Sequence, residues 1–217
     1  MTEQDRTLPS ERVAEAVEGY VAKTIPVQIQ LSAEQVILIE PEAEEILRSA
    51  DKIALGPCYC RKEAQKCNAP VDVCLTVGSD VDEILEEYEG FRIVPLEQAL
   101  EALRVSHEGG LIHFAYRKAD QDVTQFCSCC SCCCWFLNRL KEFDYHEAII
   151  ESQFVAVQDR EACVGCGACI DRCHFDAWKA NGDGKPTLLT EKCFGCGVCA
   201  STCPANAIRL EPRNADS

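Results

Sequence analysis

Several common functional signatures are missing from this chain of 217 residues. It has no phosphate-binding loop, no dinucleotide fingerprint and no grouping of Ser, His and Asp, so nucleotide sites and hydrolytic triads of recognised type are excluded. Basic charge is scarce: 21 Lys and Arg face 36 Asp and Glu, and the formal charge of −15 excludes nucleic acid as a partner, because phosphate binding needs a basic face. No apolar run approaches a membrane span. The opening Met1-Thr-Glu-Gln-Asp-Arg6 has no apolar core of an export signal, so the expected location is the cytoplasm. Histidines number only four, and His107 and His113, in or beside predicted elements, read as core or surface residues rather than ligands.

Cysteine, by contrast, is abundant, with 18 residues. Residues 127–134 read Cys-Ser-Cys-Cys-Ser-Cys-Cys-Cys, which places Cys127, Cys129, Cys130, Cys132, Cys133 and Cys134 at one point of the chain. Packing alone does not call for such density, although cysteine behaves as a small apolar residue in cores. In a reducing compartment clustered thiols are metal ligands rather than bridges. Four further thiols precede the box: Cys58, Cys60, Cys67 and Cys74. Four is the number that a [4Fe-4S] cube or a tetrahedral zinc needs, and this set alone does not decide between them.

Charge divides the chain near residue 150. Residues 1–150 carry 27 acidic and 14 basic side chains and residues 151–217 carry 9 and 7, which predicts a cysteine-rich domain over 1–150 and a second domain over 151–217. In the first, Ser10 caps a predicted helix over 11–23, residues 27–31 alternate as a half-buried strand, residues 36–39 suggest another, and Pro41 opens a helix over 42–50. Residues 53–57 read as a buried strand that delivers the chain to Cys58-Tyr-Cys60, taken as an extended pair, while Cys67 and Cys74 are placed on loops. A helix over 79–88, a strand over 91–94, a helix from Pro95 to Gly109 and a strand over 111–116 follow, and the strand, helix, strand order predicts a small α/β-like or α+β unit. Both cysteine groups then lie just past strands and can meet at one end of one sheet. A helix over 135–146 begins with Trp135, which either shields a cluster or simply packs.

The C-terminal third repeats itself with a period of thirty residues. Cys163-x2-Cys166-x2-Cys169-x3-Cys173 recurs as Cys193-x2-Cys196-x2-Cys199-x3-Cys203-Pro204. These runs resemble the bacterial-type 2[4Fe-4S] ferredoxin domain over about residues 153–212. The resemblance implies a βαββαβ domain, with Cys163, Cys166, Cys169 and Cys203 on one cluster and Cys193, Cys196, Cys199 and Cys173 on the other. One departure is visible: His174 stands where the second repeat has Pro204, which puts the local turn in question. Residues 45–137 also resemble an uncharacterised cysteine-rich group of anaerobe iron–sulfur proteins, through Cys58-Tyr-Cys-Arg61, Asp72-Val-Cys-Leu75 and the box. That resemblance implies a link to oxidoreductases of anaerobic metabolism.

The ferredoxin run uses eight thiols and leaves ten. Two further cubes need eight, so either two thiols are spare or the N-terminal site is of unusual type. Neighbours Cys129 and Cys130 face opposite ways in a regular strand and so suit two adjacent centres or one bridged cluster. The expectation is an α+β iron–sulfur protein that passes single electrons, with two ferredoxin clusters and one or two more in the N-terminal domain. Its acidity suits redox partners with a basic docking face, as a free carrier or as a subunit of a larger oxidoreductase. Two alternatives are a reductase whose N-terminal cluster is catalytic, and a cluster-assembly or redox-sensing protein.

Overall fold

The computed structural model describes residues 33–38, 40–118, 123–135, 137–138 and 151–213. The predicted helix over 11–23, the strand over 27–31 and most of the helix over 135–146 lie outside them. One mixed sheet-and-helix unit is built on β1 (Ala33–Leu38), β2 (Ile53–Pro57), β3 (Asp72–Val77), β4 (Arg92–Ile93), β5 (Ile112–Lys118) and β6 (Val123–Cys129). Their order is β1-β5-β6-β3-β2-β4, and every neighbouring pair is antiparallel. Of the α/β-like and α+β alternatives for this part, the antiparallel ladders fit α+β. Parallel neighbours need a crossover between strands adjacent in the sheet. Here α4 (Leu96–Glu108) links β4 at one edge to β5 near the other and so covers the sheet.

The two faces of this sheet have different work. Alternation along β2 and β3 sends Leu55, Leu75 and Val77 to one side, where they meet Leu47 of α1 (Glu40–Ser49) and Ala99 and Leu103 of α4. Leu47 and Leu103 are each 1% exposed, and burying such a side chain stabilises by roughly 1.5–3 kcal/mol. The opposite side receives Ile112 and Phe114 of β5 and Cys129 of β6, beside Phe175, Phe194 and Val198 from the C-terminal part. A period of two therefore puts the thiols of β6 on the face that the second half of the chain covers.

Two local expectations need correction. Cys74, placed on a loop, lies inside β3, half-buried between the buried Val73 and Leu75. Cys58-Tyr-Cys60, read as an extended pair, begins α2 (Tyr59–Ala64) instead: the Cys58 carbonyl accepts from the Arg61 and Lys62 amides at 3.2 and 3.0 Å. The chain turns there because Cys58 is tied from behind, its own amide donating to Val71 at 2.7 Å. Cys67 does lie on the connection between α2 and β3. A short α3 (Val81–Glu87) completes this part.

Residues 154–212 run β7 (Phe154–Gln158), α5 (Ala168–Arg172), β8 (Trp178–Lys179), β9 (Thr187–Leu188), α6 (Val198–Thr202) and β10 (Ile208–Pro212). β7 pairs antiparallel with β10, and β8 with β9, around a core of Ala156, Ala177, Trp178 and Ile208.

His113 is a core residue, 2% exposed, with Nδ1 3.3 Å from Ser128 Oγ and Nε2 buried without a partner. Burial, and then the neighbouring charge of His107, push its pKa down to about 3. Unfolded, it takes up a proton near the ordinary 6.5, so its contribution to stability is complete above that pH and is lost as pH falls toward 3. His113→Gln is expected to remove about 1.4 kcal/mol per pH unit of acid dependence in this window, read as the difference in denaturant midpoints between variant and wild type at pH 7 and pH 5.

Candidate metal centres

The thirty-residue repeat is a repeat of backbone as well as of sequence. Gly165 and Gly195 have φ of 71° and 73°, and Gly167 and Gly197 have 79° and 80°. The Ala177 amide donates to Cys173 Sγ at 3.4 Å, and the Ala207 amide to Cys203 Sγ at 3.3 Å. Around these turns lie two small hollows. Cys163, Cys166, Cys169 and, from the other repeat, Cys203 wall the first. Cys193, Cys196, Cys199 and Cys173 wall the second. Four thiols around a small apolar hollow, with amides aimed at sulfur, fit the donor set and the shape of a cubane site. Burial pushes the Cys169 thiol up to about 11 and the Cys199 thiol up to about 12, so proton release must accompany metal loading there.

Gly195 is required twice over. Its φ is positive, and a Cβ would overlap the Phe154 carbonyl oxygen of β7, a backbone atom that cannot yield. At Gly167 nothing lies within 4 Å of that position. Gly195→Ala is therefore expected to cost about 3 kcal/mol and to lower iron retention in the second hollow, whereas Gly167→Ala costs about 1 kcal/mol of backbone strain. Chemical denaturation with iron analysis of the two variants checks this.

The ten N-terminal thiols fall into two groups. Cys67, Cys130, Cys132 and Cys133 close on one another, with all four sulfurs within 4.8 Å. Cys67 Sγ lies 3.7 Å from both Cys130 Sγ and Cys133 Sγ, and the Cys132 and Cys133 sulfurs are 3.8 Å apart. The other six form a more extended array. Cys74 is in hydrogen-bonding reach of Cys58 and Cys127, and Cys129 of Cys127 and Cys134, while Cys60 feels the charge of Cys134, Cys58 and Cys127. The hydrogen bond from Cys74 is the main cause that lowers the Cys58 thiol to about 6. Tyr116 joins this array at Cys127, and its hydroxyl is pushed well up, first by burial and then by the neighbouring thiols. The strand geometry that separates Cys129 from Cys130 divides them between the groups.

Arg61 stands between the two. It is 2% exposed, and its guanidinium donates to the carbonyls of Pro70 at 2.5 Å and Ser128 at 3.0 Å and to Cys130 Sγ at 3.5 Å. Burial opposes its charge, but hydrogen bonding to Cys130 and the charges of Cys58 and Cys130 outweigh it and raise its pKa. An unpaired buried cation is costly, so this residue marks a site meant to hold negative charge. The sequence leaves Arg61, beside Cys60, open between a donor to thiolate charge and a surface residue, and its burial and its bond to Cys130 Sγ favour the donor.

The two halves meet at the thiols. His174 Nε2 donates to the Gly110 carbonyl at 2.6 Å, and Nδ1 accepts from the Ser131 amide at 3.3 Å, with Ser131 Oγ 3.2 Å away. Arg172 donates to the Glu108 carbonyl at 3.0 Å, across Gly110, whose positive φ and missing side chain let the arginine lie flat. Cys173 and Cys203 have nearly the same backbone, φ −76° and ψ 119° against φ −73° and ψ 110°. The absence of proline at 174 thus leaves the turn unchanged, and the histidine ties it to the box instead. Trp135 is 57% exposed.

Residues 156–210 match the family of the 4Fe-4S dicluster domain. No curated protein matches the chain, and the family match does not reach residues 45–137, so it lends no support to the resemblance expected for them. With the repeat, this makes the C-terminal part a 4Fe-4S ferredoxin-like domain that binds iron–sulfur clusters and serves electron transfer. No helix among the described residues is long and apolar enough to cross a membrane.

Proposed function

We propose that the chain is a multi-centre electron-transfer protein or subunit, made of a metal-binding domain over 1–150 and a ferredoxin domain over 151–217. In this reading Cys163, Cys166, Cys169 and Cys203 hold one [4Fe-4S] cluster, Cys193, Cys196, Cys199 and Cys173 hold the second, and the ten N-terminal thiols hold further redox-active metal. One observation carries it. Cys173 and Cys196 of the second hollow pack into the same apolar cluster as Cys127, Cys129 and Cys134, with the Phe175 and Phe194 rings stacked 4.3 Å apart beside them. Bound clusters supply one-electron exchange, with potentials set by burial and by hydrogen bonds to sulfur. The chain supplies the order: first hollow, second hollow, N-terminal thiols. It also excludes water from the joint between the last two, since Phe194 and Cys129 there are 2% and 6% exposed. Acidic surface charge suits a partner with a basic docking face, in the cytoplasm of an anaerobe or within a larger oxidoreductase.

A second reading, a reductase, is favoured by Cys60, which is exposed at the edge of the six-thiol group beside Tyr59, itself 37% exposed. Anaerobic purification followed by stepwise reduction and EPR separates the possibilities. The expected result is signals from the ferredoxin clusters that couple magnetically to an N-terminal centre. A total near eight iron atoms, the content of two [4Fe-4S] clusters, with no other metal overturns the reading of the N-terminal domain. Reoxidation of the N-terminal centre alone by a small oxidised substrate marks the reductase.

A further inference from the structure

The two N-terminal thiol groups differ in kind, and the difference identifies what each can hold. A single ion bound by four thiolates at about 2.3 Å spaces its sulfurs about 3.8 Å apart along the edges of a tetrahedron. Three edges of the compact group, at 3.7, 3.7 and 3.8 Å, have that length, and no pair of its sulfurs exceeds 4.8 Å. The thiolates of a cubane bind four different irons and splay outward, which sets their sulfurs farther apart. The same protein supplies the comparison: among the described residues, the eight thiols of the ferredoxin hollows form no such closed group.

The chain also builds the compact group as a mononuclear site is built. Cys132 and Cys133 are adjacent, and they reach one centre because residues 131–133 form a turn rather than strand. Backbone amides serve the sulfurs, Ala69 at Cys67 and Lys66 at Cys133, and Arg61 donates to Cys130 Sγ. One divalent ion with four thiolates carries −2, which the buried guanidinium partly offsets. No histidine or carboxylate enters the group, so the donor set is all sulfur and selects a soft or borderline ion.

We propose that Cys67, Cys130, Cys132 and Cys133 hold a single tetrahedral metal ion, zinc or iron without sulfide, and that an iron–sulfur cluster of the N-terminal domain is confined to Cys58, Cys60, Cys74, Cys127, Cys129 and Cys134. This rests on the reading of the N-terminal thiols as metal ligands, and it is independent of electron transfer. The division explains the ten thiols without spare residues: four close a mononuclear site, and six surround a larger one. It also assigns the Cys129-Cys130 and Cys133-Cys134 doublets, each of which sends one sulfur to either site.

The test compares metal and acid-labile sulfide in three full-length, anaerobically purified proteins. Cys67→Ser is expected to lose one metal ion per chain with no loss of sulfide, and Cys74→Ser to lose iron and sulfide together. Loss of sulfide in step with metal from Cys67→Ser overturns the proposal, and so does retention of every ion. The wild type provides a readout that does not depend on how a variant folds. Zinc absorption spectroscopy is expected to show four sulfur neighbours and no metal neighbour; if zinc is absent, oxidised protein is expected to show the high-spin ferric EPR signal of an isolated tetrathiolate iron. Absence of both signatures in wild type that holds metal beyond its ferredoxin clusters overturns the proposal. Metal confined to the ferredoxin hollows of the wild type defeats the wider reading of the N-terminal thiols instead, so the two failures are distinct.

Discussion

Replacement of Arg61 by methionine is expected to destabilise the protein by about 3–5 kcal/mol and to empty the N-terminal thiols of most of their metal, while the ferredoxin clusters keep their EPR signals. Arg61 is almost wholly buried and donates to Pro70 and Ser128 carbonyls and to Cys130 Sγ. Its removal leaves two buried carbonyls without that donor and strips the thiolates of their nearest cation. Methionine fills similar volume, so the loss is electrostatic and hydrogen-bonding rather than a cavity effect. Arg61→Lys keeps the charge but cannot address three acceptors with one planar fork, and an intermediate loss is expected. Denaturant unfolding together with iron, zinc and sulfide content of both variants decides the matter. Full metal content in Arg61→Met would show that the guanidinium serves packing alone.

The sequence leaves Arg61 open between a donor to thiolate charge and a surface residue, and the reason is physical. Arg61 follows Cys60 in a segment of Lys62, Glu63 and Lys66 that looks solvated, and only the return of Ser128 and Cys130 from about seventy residues away buries it. The same nonlocality hid β3 and the start of β6. β3 carries Cys74 and β6 carries Cys127 and Cys129, and a ligand-bearing segment reads as loop until its neighbours show that it is a ladder, with Leu75 opposite Phe126 and Phe114 opposite Cys127. Residues whose pattern is local were readable: the helix begun at Pro95 and ended at Gly109, the strand at 53–57, and above all the thirty-residue repeat. In that repeat spacing alone brings donors together, because three thiols within seven residues need only one turn to converge. The N-terminal ten come from four separate segments, so their division into four and six depends on the register of three strands, which no spacing encodes.

His174 gives the clearest test of how the two halves are joined. Its position corresponds to Pro204 of the second repeat, and the backbone of the preceding cysteine is almost the same in both. A proline favours extended backbone in the residue before it, which is what Cys203 shows. Cys173 reaches the same conformation without one, so the histidine is free to do something else. It bridges Gly110, just before β5, to Ser131 in the turn of the box. His174→Pro is expected to preserve the turn and the cluster content but to lose these bonds, at about 1 kcal/mol each and about 2–3 kcal/mol in total. Because Cys173 adjoins the second hollow and Ser131 lies between Cys130 and Cys132, the loosened joint is expected to weaken magnetic coupling between the ferredoxin and N-terminal centres. Pulsed EPR on the reduced protein reads that coupling directly. Pro204→His, the mirror exchange in the other repeat, is expected to leave it unchanged. If His174→Pro keeps full stability and full coupling, the bridge has no part in docking, and the apolar cluster around Phe175 and Phe194 holds the halves together unaided.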